Sequence, residues 1–452
     1  MKNIVLTGLP GCGKTTLGRA AAKKLGMGFL DLDALVETRA GKSIKKIFEE
    51  DGEEAFRCQE TEAVRIAAAQ SGMVISTGGG VVERPENTAL LRHSGLLIFI
   101  DRPAAQIAEN IRTAGRPMME GKKEKLFELE ARRRSLYEEA AHYILHSGKN
   151  RRETEKKLYG LCRRLLTPAR YCVIGDPIGH SLSPEIHNPV LRRYTEAAVY
   201  DKKRVERGQL ADFVREARRG LAGFNATMPH KEALIPLLDE IDPGAAALGS
   251  VNTVVNRGGK LYGYSTDGAG FFSALTDRGV SPQGKRLLLL GAGGAAAAVA
   301  LKAAELGASE IVILARDAGK AQALADRARY AAFSAGVKAG LLEEAETYAA
   351  DTDILVNATP LGMEGTAAGF ESLDFLQALP ETAAVCDLIY KPRPTAFLRR
   401  AAELGHPVMD GLPMLIYQAL LADEYYLDTK LPLKKEYLEL EKALFSGTRA
   451  NR

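Results

Sequence analysis

Two glycine-rich segments of this sequence have the spacing of phosphate-binding loops. Residues 8–15, GLPGCGKT, fit the pattern G-x-x-x-x-G-K-[ST], and residues 291–296, GAGGAA, fit the pattern G-x-G-x-x-A. In the first pattern, backbone N–H groups cradle the phosphates of ATP or GTP, a lysine reaches the β and γ phosphates, and a hydroxyl ligates Mg²⁺. The second pattern suits NAD or NADP. Two loops of different chemistry in one chain predict two enzymes joined end to end.

The size and composition of the chain are typical of a globular protein with about three domains. It has 452 residues, 46% of them hydrophobic and 26% charged, and its formal net charge is +4. The basic residues are scattered, which argues against a nucleic-acid surface, and no run approaches the ~18 apolar residues of a membrane span. Five isolated cysteines without a C-x-x-C pair fit a reducing compartment. With no signal-like segment near Met1, we expect cytoplasmic localisation.

The order of apolar runs and amphipathic stretches predicts an α/β fold throughout. Short apolar strands alternate with helices, which predicts parallel sheets covered by helices on both faces. Pro168 follows a charged helical stretch and marks the expected boundary between a phosphate-loop domain, residues 1–167, and a second region, residues 168–452. The predicted strands include residues 4–6, 74–76, 96–100, 171–174, 286–290, 311–314, 354–356 and 384–386, and the predicted helices include residues 15–25, 53–69, 124–141 and 295–306.

Several polar groups near the phosphate loop could serve a phosphoryl acceptor. Asp31 and Asp33 end an apolar run, where we expect an extended segment with two carboxylates on opposite sides, one for the water shell of magnesium and one for a substrate hydroxyl. The alternative for this pair is a solvated loop, and the alternative for Arg57, on a predicted helix, is a surface cation. Three glycines at residues 78–80 predict close backbone approach to a small molecule. The polar stretch around Arg116-Pro117 predicts a mobile lid.

Together these features resemble shikimate kinase over nearly all of residues 1–165. The resemblance implies that shikimate is held by Asp33, Arg57, Gly79 and Arg133, with Asp33 orienting the 3-hydroxyl and accepting its proton. The two guanidinium groups would attract the substrate carboxylate, and Mg²⁺ would be held by Thr15 and, through water, by Asp31. The implied ATP-binding residues are Gly11, Cys12, Gly13, Lys14, Thr15, Thr16, Arg116 and Arg152, and Lys14 joins Asp33 as a catalytic residue. Where the family commonly has Asp-Thr near the adenine, this sequence has His146-Ser147.

Further polar clusters stand next to predicted strands between residues 171 and 270. Ser181 and Ser183 precede a helix, where capping is the alternative role. Lys231 lies at a predicted strand-to-helix turn, where a lone lysine is usually solvated. Asn252 ends an apolar stretch, and Asp267 follows another, where its alternative role is to cap the next helix.

This set, upstream of a dinucleotide loop, resembles shikimate dehydrogenase over about residues 170–445. The resemblance implies reversible hydride transfer between NADPH and the C3 carbonyl of 3-dehydroshikimate, with Lys231 and Asp267 as the catalytic pair. It implies a substrate domain over residues 168–267 and 411–446, and an NADP-binding Rossmann domain over residues 268–410. The implied substrate-binding residues are Ser181, Ser183, Thr227, Lys231, Asn252, Asp267, Tyr390 and Gln418. The implied NADP-binding residues are Gly291, Ala292, Gly293, Gly294, Ala295, Arg316, Lys320, Leu388 and Gly411.

The choice between NADP and NAD can be argued from the end of the second Rossmann strand. An NAD enzyme places Asp or Glu there, whereas this chain has Arg316, followed by Lys320, a cationic clamp suited to a 2′-phosphate. Asp317 is the competing sign, but it lies one residue beyond and is predicted to cap a helix. We therefore expect NADP.

The leading hypothesis is a bifunctional cytoplasmic enzyme of aromatic biosynthesis. It would reduce 3-dehydroshikimate with NADPH and phosphorylate the resulting shikimate with ATP and Mg²⁺. The alternative hypothesis is a shikimate or quinate dehydrogenase that carries a non-catalytic ATP-binding regulatory module. The intact Lys14, Thr15, Asp33, Arg57 and Arg133 argue against that module. We expect small-molecule substrates as partners, no nucleic acid and no membrane, with a homodimer as one possible assembly.

Overall fold

The computed structural model describes residues 1–113, 120–331, 336–366 and 369–445. The chain divides into two compact units, one formed by Met1–Pro168 with Arg192–Ala197 and the other by Ala169–Leu191 with Ala198–Arg452. Both units are α/β, which confirms the predicted fold class. Within the described residues, no helix is both long and apolar enough to cross a membrane.

The first unit is built on a five-stranded parallel sheet. Its strands are β1 (Asn3–Thr7), β2 (Gly28–Asp31), β3 (Met73–Ser76), β4 (Gly95–Asp101) and β5 (Tyr143–His146), in the spatial order β2-β3-β1-β4-β5. Every residue of β1 and β4 is buried, because helices cover both faces of the sheet. The helices are α1 (Lys14–Leu25), α2 (Leu32–Ala40), α3 (Ile44–Glu50), α4 (Gly52–Ala68), α5 (Pro85–Ser94), α6 (Ala104–Thr113), α7 (Glu120–Ala140) and α8 (Arg151–Leu166).

The second unit begins with a mixed sheet of six strands in the order β7-β6-β8-β10-β11-β9. Its elements are β6 (Ala169–Gly175), α9 (Ser183–Tyr194), β7 (Ala198–Arg204), α10 (Leu210–Gly220), β8 (Gly223–Ala226), β9 (Glu240–Ile241), α11 (Pro243–Leu248), β10 (Thr253–Arg257), β11 (Lys260–Tyr264) and α12 (Asp267–Thr276). β6 is parallel to β7 and β8, but β10 runs antiparallel to β8 and β11. Asn252 therefore precedes a hairpin strand rather than ending an apolar stretch. That expectation was wrong because simple alternation does not reveal a hairpin.

The remaining elements form a six-stranded parallel sheet in the doubly wound order β14-β13-β12-β15-β16-β17. They are β12 (Arg286–Leu290), α13 (Gly294–Glu305), β13 (Glu310–Ala315), α14 (Ala318–Ala331), β14 (Gly336–Leu341), α15 (Ala345–Ala349), β15 (Ile354–Asn357), β16 (Ala384–Asp387), α16 (Ala396–Glu403), β17 (Val408–Met409), α17 (Gly411–Leu427) and α18 (Leu433–Phe445). The predicted strand–loop–helix–strand unit at the dinucleotide loop is confirmed by β12, α13 and β13. This arrangement places the glycine loop at the carboxyl edge of the sheet.

Helix α12 packs against both α13 and α17 with almost no space between the backbones. A Cβ atom at Gly268 would lie 2.3 Å from the carbonyl oxygen of Ala298 on α13. A Cβ atom at Gly270 would lie 2.6 Å from the backbone nitrogen of Gln418 on α17. Only glycine permits such an approach, so the three helices are fixed to one another through their backbones. Asp267, the first residue of α12, is positioned by these contacts.

Candidate active sites

The phosphate loop joins β1 to α1 and depends on glycine backbone geometry. Gly8, Gly11 and Gly13 have φ angles of +143°, +80° and +102°, in the region that side chains rarely adopt. Lys14 is buried, and its Nζ donates to the carbonyl oxygens of Gly8 at 2.8 Å and Leu9 at 3.0 Å. The ammonium group therefore lies against the loop whose glycines let N–H groups converge on phosphate oxygens.

Oxygen atoms from three elements meet beside this loop. Thr15 Oγ1 donates to Asp31 Oδ2 at 2.8 Å and lies 3.2 Å from Ser76 Oγ. Hydroxyl and carboxylate oxygens are the ligands that Mg²⁺ prefers, so the donor set fits that ion. The sequence predicted Thr15 and Asp31. It did not predict Ser76, whose only signal is its place at the carboxyl end of the strand next to β1.

The segment that contains Asp31 and Asp33 was expected to be extended. That expectation was wrong for Asp33, because α2 begins at Leu32. Asp31 Oδ1 accepts from the backbone N–H groups of Asp33 at 3.1 Å and Ala34 at 3.3 Å, which caps α2. Asp33 therefore lies in the first helical turn. Burial raises the pKa of Asp33, the nearby Asp31 carboxylate raises it further, and the Lys14 ammonium opposes both.

The three glycines at residues 78–80 form a wall that touches three parts of the predicted kinase site. A Cβ atom on the first would lie 2.7 Å from Asp33 Oδ1, and one on the second would lie 2.8 Å from Cδ of Pro10 in the phosphate loop. A Cβ atom on the third would lie 2.3 Å from Nη1 of Arg57. The backbone of these glycines therefore lies close to protein side chains, and the wall joins the predicted acceptor residues to the phosphate loop, while the approach to a small molecule stays a prediction.

Arg57 and Arg133 are buried and share the carboxylate of Glu83. Over the whole residue, Arg57 is 8% exposed and Arg133 is 6% exposed, so the surface-cation alternative for Arg57 is wrong. Arg57 Nη2 donates to Glu83 Oε2 at 2.7 Å, and Arg133 donates through Nε and Nη2 at 3.0 Å each. Glu60, also buried, accepts from Arg57 Nη1 at 2.8 Å. Sequence reasoning missed both glutamates because no motif marks them.

The remaining residues expected at the kinase site are less closely grouped. The predicted lid residues Arg116-Pro117 lie outside the described residues. Cys12 is buried in the phosphate loop, and Thr16 is exposed on α1. Arg152 is exposed in the first turn of α8. His146, in the place of the common Asp-Thr pair, has Nδ1 2.8 Å from Asp101 Oδ2.

A cavity of about 440 Å³ in the second unit collects every residue expected to bind the dehydrogenase substrate. Most of its wall comes from strand ends of the mixed sheet and from the loops and helix termini next to them, and α17 supplies Gln418. The Ser181 hydroxyl donates to the Ser183 hydroxyl at 3.0 Å. Ala295 of the glycine loop, Leu388 and Gly411 line the same cavity. The predicted substrate residues that line it are Ser181, Ser183, Thr227, Lys231, Asn252, Asp267, Tyr390 and Gln418.

Lys231 and Asp267 form an ion pair inside this cavity. Lys231 Nζ lies 2.5 Å from Asp267 Oδ2, while Asp267 Oδ1 accepts from Asn252 Nδ2 at 2.8 Å. The solvated alternative for Lys231 is therefore wrong. The capping alternative for Asp267 is also wrong, because Thr266 occupies the capping position of α12 without a side-chain bond. The pair can present a charged donor and an acceptor to one substrate hydroxyl.

Asn225 is a buried residue of the cavity wall that the sequence analysis did not assign to the site. Its Oδ1 accepts from the hydroxyls of Tyr200 at 2.6 Å and Tyr426 at 2.7 Å. Its Nδ2 donates to the carbonyl oxygen of Asn252 at 3.1 Å. Asn225 therefore fixes the backbone of a predicted substrate-binding residue. His230, next to Lys231, is buried, with Nε2 2.6 Å from the carbonyl oxygen of Val205.

A second recess, of about 180 Å³, lies beside the dinucleotide loop. Ala292, Gly293 and Gly294 line one part of it, and Lys320 and Arg327 line another. A Cβ atom at either of those glycines would meet nothing within 4 Å, so the loop faces open space. Open backbone N–H groups at the start of α13, with two cations nearby, fit the phosphates of a dinucleotide.

The end of β13 carries the residues that bear on cofactor choice. Arg316 is exposed there. Asp317 Oδ1 accepts from the backbone N–H of Lys320 at 3.1 Å, which confirms its predicted role as a helix cap. The carboxylate next to the strand end is therefore already hydrogen-bonded to the start of α14.

Family models match most of the chain in three consecutive segments. The model described as shikimate kinase matches residues 10–160. The shikimate dehydrogenase substrate binding domain matches residues 173–254, and shikimate / quinate 5-dehydrogenase matches residues 275–362.

Individual proteins are similar to the second part of the chain. Shikimate dehydrogenase (NADP(+)) of Symbiobacterium thermophilum is 39% identical over 266 residues, which are 58% of this chain and 90% of that protein. The Pyrococcus abyssi protein of the same name is 43% identical over 249 residues, 55% of this chain and 88% of that protein. The crystal structure of shikimate 5-dehydrogenase from Thermus thermophilus, in complex with NADP(H) and shikimate, has a TM-score of 0.54 and 35% identity. It covers 61% of this chain and 99% of that one.

Proposed function

The chain belongs to the shikimate dehydrogenase family and carries a shikimate kinase domain ahead of it, and we propose how its residues carry out the two reactions. It is a bifunctional enzyme of the shikimate pathway. One activity is the NADPH-dependent reduction of 3-dehydroshikimate to shikimate, and the other is the ATP-dependent phosphorylation of shikimate to shikimate 3-phosphate. The assignment of individual residues to these steps is our proposal.

At the dehydrogenase site, Lys231 and Asp267 act together on the oxygen at C3. NADPH supplies the hydride when bound. Lys231 donates a proton to the developing alkoxide during reduction and takes it back in the reverse direction, and Asp267 holds the lysine in position. Ser181 and Ser183 bind the substrate carboxylate, while Thr227, Asn252 and Gln418 bind ring hydroxyls and Tyr390 contacts the substrate. The observation that supports this assignment is the single cavity that all these side chains line.

The dinucleotide is held by the glycine loop and by a cationic clamp. The loop residues are Gly291, Ala292, Gly293, Gly294 and Ala295, and Leu388 and Gly411 lie on the nicotinamide side. Arg316 and Lys320 bind the 2′-phosphate, which gives the preference for NADP over NAD. The capping bond of Asp317 supports this, because a carboxylate engaged with a helix end is less suited to accept from ribose hydroxyls.

At the kinase site, Asp33 orients the 3-hydroxyl of shikimate and accepts its proton. Arg57 and Arg133 bind the substrate carboxylate against the backbone of Gly79. Lys14 and the loop N–H groups neutralise the phosphates, and Thr15 and Asp31 hold the magnesium ion. The supporting observation is the glycine wall, which brings Asp33, Arg57 and the phosphate loop within contact distance of one segment.

Two assays on the purified full chain test this division of labour. ADP formation is measured with shikimate, ATP and Mg²⁺, and NADP reduction is measured separately with shikimate. Lys14→Met should abolish ADP formation and leave NADP reduction at the wild-type rate. Loss of both activities in a folded Lys14→Met chain would overturn the independence of the two sites. Wild-type ADP formation by the variant would remove Lys14 from the reaction.

We also propose that the enzyme works in the cytoplasm on these small molecules alone. Five free cysteines, four of them buried, support a reducing compartment. A homodimer stays a prediction, which sedimentation velocity of the full chain tests directly.

A further inference from the structure

Glu83 occupies the position between the two arginines that are proposed to bind the carboxylate of shikimate. It ends a short 3₁₀ helix, Val81–Glu83, that follows the glycine wall directly. Its two carboxylate oxygens accept from Arg57 on one side and, through two bonds, from Arg133 on the other. A paired guanidinium–carboxylate geometry of this kind is also what a carboxylate ligand would make. The protein therefore supplies its own carboxylate where the proposed substrate group belongs.

The charges around Glu83 balance one another when no substrate is present. Arg57 also pairs with Glu53 at 3.2 Å and Glu60 at 2.8 Å. Arg132, the neighbour of Arg133 on α7, pairs with Glu83 from the outside. The three arginines therefore face three glutamates, and a further anion gains little unless one carboxylate moves away.

One of the three arginines is placed to receive Glu83 when it moves. The Arg132 side chain is 62% exposed, whereas those of Arg57 and Arg133 are 10% and 8% exposed. The Glu83 side chain is 20% exposed, so it lies at the border between the buried pair and the surface. Arg57 keeps two other carboxylate partners and does not depend on Glu83 for its position. A rotation of Glu83 toward Arg132 would keep that ion pair, would leave Arg57 with Glu53 and Glu60, and would free Arg133 for the incoming carboxylate.

We propose that Glu83 occupies the binding position of the substrate carboxylate in the substrate-free kinase. When shikimate binds, Glu83 releases Arg57 and Arg133 and keeps its ion pair with Arg132. The proposal rests on the proposed function, which assigns Arg57 and Arg133 to the substrate. Shikimate must then compete with a resident carboxylate, so Glu83 weakens its binding. A neutral analogue without the carboxylate cannot compete in this way, and Glu83 thereby selects for an anionic substrate.

The first test compares Glu83→Gln with the wild-type chain in the kinase assay. The amide keeps the size of the side chain and removes its charge, so we expect the KM for shikimate to fall about fivefold. The kcat and the KM for ATP should change by less than about twofold, because the phosphate loop is untouched. Glu54→Gln, which removes the exposed partner of Arg84 nearby, is the matched control and should leave all three parameters unchanged. An unchanged or higher KM for shikimate in a Glu83→Gln chain that keeps its KM for ATP would overturn the proposal.

The second test asks whether Arg132 acts through Glu83. Arg132→Gln removes the exposed ion-pair partner of Glu83, so it should raise the KM for shikimate about threefold to fivefold in the wild-type background. It should have no effect in the Glu83→Gln background, since residue 83 then carries no charge to pair with Arg132. The same effect in both backgrounds would overturn the exchange. Arg133→Gln separates this outcome from failure of the proposed function. It should raise the KM for shikimate strongly if the subsite is correct, whatever the result with Glu83.

Discussion

Replacing Lys231 with alanine should remove most of the dehydrogenase turnover and leave the kinase at its full rate. The lysine Nζ lies 2.5 Å from Asp267 Oδ2 within the substrate cavity, and it is the proposed proton donor to the oxygen at C3. Without it, the developing alkoxide loses its donor in the transition state. Ser181, Asn252 and Gln418 remain, so the ground-state contacts to the substrate are largely kept.

The size of the effect follows from what the variant removes. A positioned acid–base group contributes about 10²–10⁴-fold, so we expect kcat to fall about a thousandfold and the KM for shikimate to change by less than about threefold. The side chains of Lys231 and Asp267 are 29% and 13% exposed, so loss of the pair should cost about 1 kcal/mol after solvent screening. That corresponds to a fall in Tm of roughly 2–4 °C. Asp267 keeps its hydrogen bond from Asn252, which limits the cost. The loss of turnover at 25 °C therefore cannot be attributed to unfolding.

The assay measures initial rates of NADP reduction over a range of shikimate concentrations, with ADP formation by the same preparation as an internal control. Lys203→Ala is the matched variant, since this exposed lysine pairs with Glu216 at 3.1 Å elsewhere in the second unit. A kcat for Lys231→Ala within tenfold of the wild-type value would refute the acid–base assignment. Adding Asp267→Asn should make the double variant scarcely worse than the more damaged single one. Fully additive losses would show that the two groups work separately.

Substitution of Gly80 by alanine should raise the KM for shikimate at least about tenfold, because its Cβ would lie 2.3 Å from a guanidinium nitrogen. Gly160→Ala on α8, where a Cβ meets nothing within 4 Å, is the control and should leave the kinetics unchanged; equal effects would contradict the steric argument. Burial raises the pKa of Asp33, and the proposed proton acceptor is its ionised form. As the pH is lowered, kinase kcat/KM should therefore begin to fall at a pH above the ordinary aspartate pKa of about 3.9. A profile that stays flat down to about pH 4 would contradict this role. Alanine at both Arg316 and Lys320 should raise the KM for NADP at least about tenfold more than that for NAD, and equal changes would place the phosphate clamp elsewhere.

Much of the fold could be predicted because the chain alternates clear apolar strands with amphipathic helices. The strands that carry the two glycine loops are fully or almost fully buried, and such continuous apolar runs are typical of parallel sheets. The hairpin of β10 and β11 was not predicted, because its strands are short and the turn at Gly258 and Gly259 lies within a polar stretch. The helical turn at Asp33 was also missed. It depends on a cap by Asp31, and a carboxylate at that position is equally compatible with a loop.

The sequence could predict which side chains lie together in a candidate site where a residue belongs to a motif, but not where a residue supports one. Lys14, Lys231 and Asp267 stand in recognisable local patterns, and the structure places the last two together although they lie on different elements. Glu83 and Asn225 act only through residues that are distant in the sequence. Their burial and their hydrogen bonds arise when the chain folds, and no local spacing indicates them.

The close packing of α12, α13 and α17 has a mechanical consequence for the dehydrogenase. Asp267 and Gln418 belong to a block whose helices touch through their backbones, so they move together with the glycine loop at the start of α13. Lys231, Ser181 and Thr227 stand instead on the loops of the mixed sheet. The mixed sheet is joined to this block as well, because Tyr426 of α17 donates to Asn225 Oδ1 at 2.7 Å. A side chain added at Gly268 or Gly270 would therefore displace α12, and with it the Asp267 carboxylate that pairs with Lys231, while it also disturbs the helix that follows the glycine loop.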